Sequence, residues 1–103
     1  VEMSVPVGAY CNGKQVGFAR VVSDLIAIAY VADVFVDPDY RRRGIAAKMI
    51  DALHAHPDLA RVKRWLLATH DMQPLYRQHG YEDLDDLMMM RVDEGAKTRK
   101  PLR

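Results

Sequence analysis

The stretch of sequence that decides the fold is residues 34–46, Val-Phe-Val-Asp-Pro-Asp-Tyr-Arg-Arg-Arg-Gly-Ile-Ala. Its first three residues suit a buried strand, and Pro38 stops further sheet pairing because proline has no N–H to donate. After the arginines, apolar residues recur at helical spacing at Ile45, Met49 and Leu53. The stretch therefore predicts a strand, a basic loop and the start of a helix in direct succession.

The predicted start of this helix is suited to bind an anion. The first N–H groups of a helix have no partner inside it, and the helix dipole favours negative charge there. Gly44 permits close approach to the backbone, Ala46 is small, and residues 41–43 add three positive charges. We interpret the loop as a phosphate or pyrophosphate site, although three arginines taken alone also fit a solvated turn. Neither the Walker A pattern nor the Rossmann glycine pattern is present.

Working outward, the sequence predicts a βββ-α-β-α-β order in one mixed, mostly antiparallel sheet with flanking helices, an α+β (α/β) fold. Asn12-Gly13 is a hairpin turn signal between the first two strands. Asp71 is a candidate N-cap of the second helix, and Gly80 is its stop signal. The predicted strands are Ser4–Cys11, Val16–Val22, Ile26–Val36, Trp65–Thr69 and Leu87–Val92, and the predicted helices run from Ile45 to near His56 and over Asp71–His79.

Composition excludes several classes of protein. The chain has 103 residues, half of them apolar and 28% charged, which fits one small globular domain. A single cysteine excludes an internal disulfide framework, and no apolar run or leader predicts a membrane span or secretion, so we expect a cytoplasmic protein. Residues 93–103 hold four basic and two acidic side chains, which predicts a basic, flexible tail after a domain at 1–92. The remainder is slightly acidic, so no nucleic-acid partner is expected.

Three segments together resemble the GNAT superfamily, the acetyl-CoA-dependent N-acetyltransferases. Arg41-x-x-Gly44-x-Ala46 is similar to the family's motif A, Gln/Arg-x-x-Gly-x-Gly/Ala. Residues 75–81, Leu-Tyr-Arg-Gln-His-Gly-Tyr, resemble its Leu-Tyr-x-x-x-Gly-Phe segment, and residues 17–22 resemble its Gly-Phe-Ala-Arg strand. The resemblance extends over residues 4–92 and implies a GNAT-like sheet.

The resemblance also implies a site. Acetyl-CoA would lie between two splayed parallel strands, Val31–Val36 and Trp65–Thr69, as a cosubstrate with no metal. Tyr76 would be the general acid for the departing thiolate, or it would only pack against the sheet. The predicted cofactor-binding residues are the strand backbone of Val34, Phe35 and Val36 for the pantetheine, and Arg41, Arg42, Arg43, Gly44, Ile45, Ala46 and Ala47 for the pyrophosphate.

The sequence departs from the family pattern at two points. It begins at the first hairpin, so either the start of the chain is missing, or the acceptor pocket is shallow or completed by a second subunit, and we expect a homodimer. Where some members place a glutamate base, this chain has Ala32 and then Asp33. Asp33 is the candidate base or acceptor contact, with a carboxylate satisfied by backbone N–H groups as the alternative.

Two functions follow from the sequence. The first is transfer of an acetyl group from acetyl-CoA to a primary amine by direct attack in a ternary complex. The second is a non-catalytic acyl-CoA-binding or interaction module with the same fold.

His54 and His56 are interpreted as solvated residues at a helix end rather than metal ligands, because a spacing of two does not place them on one face.

Overall fold

The computed structural model describes residues 3–95 and consists of one six-stranded sheet with two helices. The strand order is β1-β2-β3-β4-β6-β5, and all neighbours are antiparallel except β3 and β4. The predicted mixed, mostly antiparallel α+β fold is thus confirmed, while residues 96–103 of the predicted tail lie outside the described residues. The elements are β1 Met3–Cys11, β2 Lys14–Ser23, β3 Ile28–Val36, α1 Ile45–His54, β4 Arg64–Ala68, α2 Gln73–Gln78, β5 Glu82–Asp83 and β6 Met88–Val92, with 3₁₀ turns at Pro38–Tyr40 and Pro57–Leu59.

The sheet opens between β3 and β4. These parallel strands pair only where Ile28–Tyr30 meets Arg64–Leu66. Just beyond, the register between β2 and β3 shifts, because Arg20 opposes Asp33 and Val21 opposes Val31, which leaves Ala32 as the extra residue of a bulge. A bulge bends and twists its strand. The carboxyl end of β3 therefore runs on without pairing to β4, as the splayed strands of the sequence prediction require.

Both helices pack on the same face of the sheet. The centre of the core is formed by Ile50 and Leu53 of α1 with Trp65 and Leu67 of β4, each about 1% exposed. Burying side chains of this size contributes roughly 1.5–3 kcal/mol each. The opposite face exposes Ile28, Tyr30 and Phe35, and within residues 3–95 no helix covers it.

Two details of the fold differ from the sequence prediction. Asp71 as the N-cap of α2 is wrong: the helix begins at Gln73, its N-cap is Met72, and Thr69 Oγ1 accepts the Met72 N–H at 3.1 Å. The strand β5 was not predicted, because two exposed acidic residues carry no apolar alternation. No helix in residues 3–95 has the length and apolar content needed to cross a bilayer.

Candidate functional site

A cleft of about 580 Å³ lies where β3 leaves the sheet and α1 begins. The β3 end and the following loop form one wall, and residues at the start of α2 form the other. Of the ten residues predicted to bind a cofactor, all except Arg43 line it. The lining residues are Val34, Phe35, Val36, Tyr40, Arg41, Arg42, Gly44, Ile45, Ala46, Ala47, Asp71, Met72 and Leu75.

Free backbone N–H groups face this cleft at the start of α1. The first intrahelical hydrogen bond runs from Lys48 N–H to Gly44 C=O at 3.1 Å, so the N–H groups of residues 45–47 precede the helical ladder. Gly44 is the N-cap with φ 75°, and Arg42 has φ 65°, a conformation that non-glycine residues seldom adopt. A Cβ added at Gly44 would meet no atom within 4 Å. The loop therefore presents donors to open space, which suits an anion.

The side chains of Arg41 and Arg43 point in different directions. Arg41 Nε donates to the Val36 C=O at 3.0 Å, and its guanidinium lies 5.9 Å from the centre of the Phe35 ring. Arg43 instead lies over the Tyr40 ring at 5.0 Å and lines a second cavity of about 450 Å³ between α1 and β1–β2. The Arg41 side chain thus ties the loop to the strand, and the Arg43 side chain does not reach the cleft.

Sequence reasoning missed the far wall of the cleft. Asp71, Met72 and Leu75 line it, although Asp71 was assigned to helix capping. The available signal was their position immediately before Tyr76 in the Leu-Tyr-x-x-x-Gly-Tyr segment. Since residues three and four apart share a helix side, Met72 and Leu75 lie on the same side of α2.

Tyr76 lies behind this wall. Its side chain is 6% exposed, belongs to the hydrophobic core and makes an edge-on contact with the Tyr81 ring at 5.6 Å between centroids. The cleft lining includes its neighbour Leu75 and not Tyr76 itself. Burial raises the pKa of the Tyr76 hydroxyl, which therefore stays protonated at neutral pH.

The Asp33 carboxylate accepts a hydrogen bond from the Arg20 side chain. Arg20 Nε donates to Asp33 Oδ2 at 2.8 Å, and Arg20 Nη1 donates to Ser4 Oγ at 3.2 Å. The pair is exposed on the face of the sheet that carries no helix within residues 3–95. Asp33 borders the cleft through Val34 without lining it.

The interpretation of His54 as a solvated residue is wrong, because the helix end that carries it is covered by the sheet. Its Nε2 lies 2.9 Å from the Tyr81 hydroxyl, and its ring meets Trp65 edge-on at 4.7 Å. Burial is the main cause that lowers the pKa of His54 to about 4. His56 lies outside this cluster, where its Nδ1 accepts the Asp58 N–H at 3.1 Å. Within residues 3–95 no three His, Cys, Asp or Glu side chains are grouped to hold a metal ion.

The shifted pKa of His54 predicts acid sensitivity. Between pH 6.5 and 4 the unfolded chain binds a proton that the folded chain does not, so stability is complete above pH 6.5 and falls as the pH drops towards 4. Because His54 retains some solvent contact, we expect a loss of about 1–2 kcal/mol. Urea unfolding at pH 7.0 and 4.5 measures it. His54→Gln has no titrating imidazole at this position, so its free energy of unfolding is expected to fall less than that of wild type, by the same amount. Equal losses in the two proteins would contradict the assignment.

Comparisons with known proteins show the family of this chain. The sequence model of the acetyltransferase (GNAT) domain matches residues 5–83. The chain belongs to the GNAT acetyltransferase family. This match spans the β3–α1 loop and both cleft walls, and it confirms the family that the three sequence segments indicated.

The chain is also similar to individual proteins. A Xanthomonas campestris structure assigned to the GNAT family is 45% identical, with a TM-score of 0.73, over 78% of this chain and 56% of that one. A UPF0039 protein from Schizosaccharomyces pombe is 33% identical over 73% of this chain and 52% of its own length. The PaiA N-acetyltransferase from Thermoplasma acidophilum, solved with coenzyme A, shares the fold at 15% identity with a TM-score of 0.73, over 87% of this chain and 61% of that one. The chain thus spans little more than half the length of the first two.

Proposed function

We propose that this GNAT chain transfers an acetyl group from acetyl-CoA to a primary amine by direct attack in a ternary complex. The observation that carries the proposal is the cleft lined by the N-terminal residues 45–47 of α1, whose N–H groups precede the helical ladder, and by Arg42. A pyrophosphate is a doubly charged ligand that fits such a helix start. A coenzyme A ligand is also present in the PaiA structure of the same fold.

The unpaired end of β3 suits the pantetheine arm. Past Tyr30 the strand no longer pairs with β4, so the β4-facing backbone of residues 34–36 is open to a ligand with amide groups. The Arg41 bond to the Val36 C=O uses one of these acceptors and fixes the loop relative to the strand. The apolar side chains of Met72 and Leu75 supply the opposing wall.

The proposed reaction needs few catalytic side chains. The neutral amine nitrogen attacks the thioester carbonyl, a C–N bond forms, the C–S bond breaks, and the thiolate takes a proton. Tyr76 is the proposed donor of that proton, and Asp33 is the proposed base or acceptor contact that receives the amine proton through water. Holding two reactants in place supplies roughly 7–11 kcal/mol, and one acid–base group adds about 10²–10⁴-fold.

The second candidate is a non-catalytic acyl-CoA-binding module. The burial of Tyr76 behind Leu75 favours it, since the cleft can hold coenzyme A without this hydroxyl.

For either function we propose a cytoplasmic protein. We also propose a homodimer, in which a second copy covers β1, an edge strand within residues 3–95. Light scattering at tens of micromolar tests this state.

Release of the coenzyme A thiol, followed with a panel of primary amines, distinguishes the two functions. The panel contains polyamines, aminoglycosides, lysine peptides and peptides with free amino termini. The transferase predicts release that depends on both acetyl-CoA and one class of amine, with acetylated product found by mass spectrometry. Saturable acetyl-CoA binding with no release above the hydrolysis rate for any amine would favour the module.

A further inference from the structure

Three contacts at the carboxyl end of α2 fasten this helix to its neighbours. His79 Nδ1 lies 3.1 Å from Asp51 Oδ1 of α1, and Arg91 Nε of β6 donates to the His79 C=O at 3.0 Å. The third is the hydrogen bond between Tyr81 and His54. We call His79, Asp51 and Arg91 the α2 clasp. None of its members lines the cleft.

The clasp matters for the cleft because α2 is short and lacks a capping side chain. Only six residues form the helix, and a helix of this length has little stability of its own. Its position therefore depends on tertiary contacts at its ends. Leu75 lies four residues before His79 and Met72 three before Leu75, so all three lie along one side of α2. A movement of His79 displaces the cleft wall with it.

We propose that His79 is a positioning residue that, through Asp51, sets the distance between the α2 wall and the Gly44 loop, and so the affinity for the acyl donor. This inference rests on the proposed function for its ligand. His79 is largely buried and Asp51 is exposed, with side-chain exposures of 12% and 70%. A single contact with one exposed partner has a limited effect, so the expected change in affinity is about two- to fivefold.

The test compares wild type with Asp51→Asn, which keeps an acceptor but removes the charge, and with Asp51→Ala, which removes both. Asp58→Ala is the matched control, an exposed aspartate in the turn after α1. The first readout is the ¹³C-methyl signal of Met72, observed without ligand. We expect this signal to move furthest from its wild-type position in Asp51→Ala, less far in Asp51→Asn, and not at all in Asp58→Ala. A Met72 signal at the wild-type position in both Asp51 variants would overturn the proposal.

The second readout is the dissociation constant for acetyl-CoA. It is expected to rise two- to fivefold in Asp51→Ala, to rise less in Asp51→Asn, and to match wild type in Asp58→Ala. Tight binding with wild-type affinity in Asp51→Ala would overturn the positioning role alone. Absence of acetyl-CoA binding in wild type would instead overturn the proposed function, and the Met72 response would still decide the coupling.

Discussion

Gly44→Glu is expected to abolish acetyl-CoA binding, with a loss of at least about 100-fold, while the fold is retained. The variant carboxylate would stand at the N-cap, where the free N–H groups of residues 45–47 face the cleft. It would compete for these donors as an internal anion and repel the pyrophosphate. A 100-fold loss corresponds to about 2.7 kcal/mol, which is within reach of one charge placed beside a bound diphosphate. Calorimetry measures the binding, and circular dichroism checks the fold.

Gly44→Ala is the matched control. Any side chain at φ 75° carries backbone strain of about 1–2 kcal/mol, and alanine carries that strain without the charge. A Cβ at this position meets no atom of the protein within 4 Å, so the strain is the only cost to the fold. We expect the alanine variant to bind acetyl-CoA within about fivefold of wild type. Equal affinities of Gly44→Glu and wild type for acetyl-CoA would show that the ligand lies elsewhere.

Tyr76→Phe is expected to lower turnover by roughly ten- to a thousandfold and to leave acetyl-CoA affinity within about twofold. The substitution keeps the buried ring and its contact with Tyr81, and it removes only the proton donor. Because burial raises the pKa of this hydroxyl, the loss is expected at every pH from 6 to 9. Steady-state kinetics with an acceptor identified in the amine panel provides the measurement.

Tyr10→Phe controls for the loss of a tyrosine hydroxyl, since Tyr10 is exposed at the β1–β2 hairpin and lies outside the cleft lining. It is expected to behave as wild type. Wild-type turnover in Tyr76→Phe, with the chemical step shown to be rate-limiting, would leave Tyr76 as a core residue. The proton would then reach the thiolate from solvent or from another group.

Much of one cleft wall was predictable because its residues are consecutive in the chain. Strand composition, the stop at Pro38 and the helical spacing from Ile45 are local properties, and together they locate the N–H groups of the α1 start. The direction of each arginine was not predictable. Arg41 turns back to the Val36 C=O and Arg43 turns to Tyr40, and these choices depend on which acceptors and rings the folded loop places within reach.

The surroundings of buried polar groups were also not predictable from the sequence. His54 ends a helix, a position that is commonly solvated, and only the packing of α1 against β4 covers it with Trp65 and Tyr81. Trp65 Nε1 is the one buried side-chain polar atom in residues 3–95 without a hydrogen-bond partner, and nothing in the sequence marks it. Burial depends on elements that are distant in the chain.

The sequence by itself determined the order of the strands and helices other than β5, the basic loop at residues 41–44 and the family, because each of these signals lies in short stretches of consecutive residues. Only the tertiary structure decided the opposing cleft wall at Met72 and Leu75, the burial of Tyr76 and the clasp between His79 and Asp51. These features arise where the β4–α2 segment returns to β3 and α1 across the opening of the sheet. Side-chain direction and solvent exposure there are set by packing between elements, which local propensity does not specify.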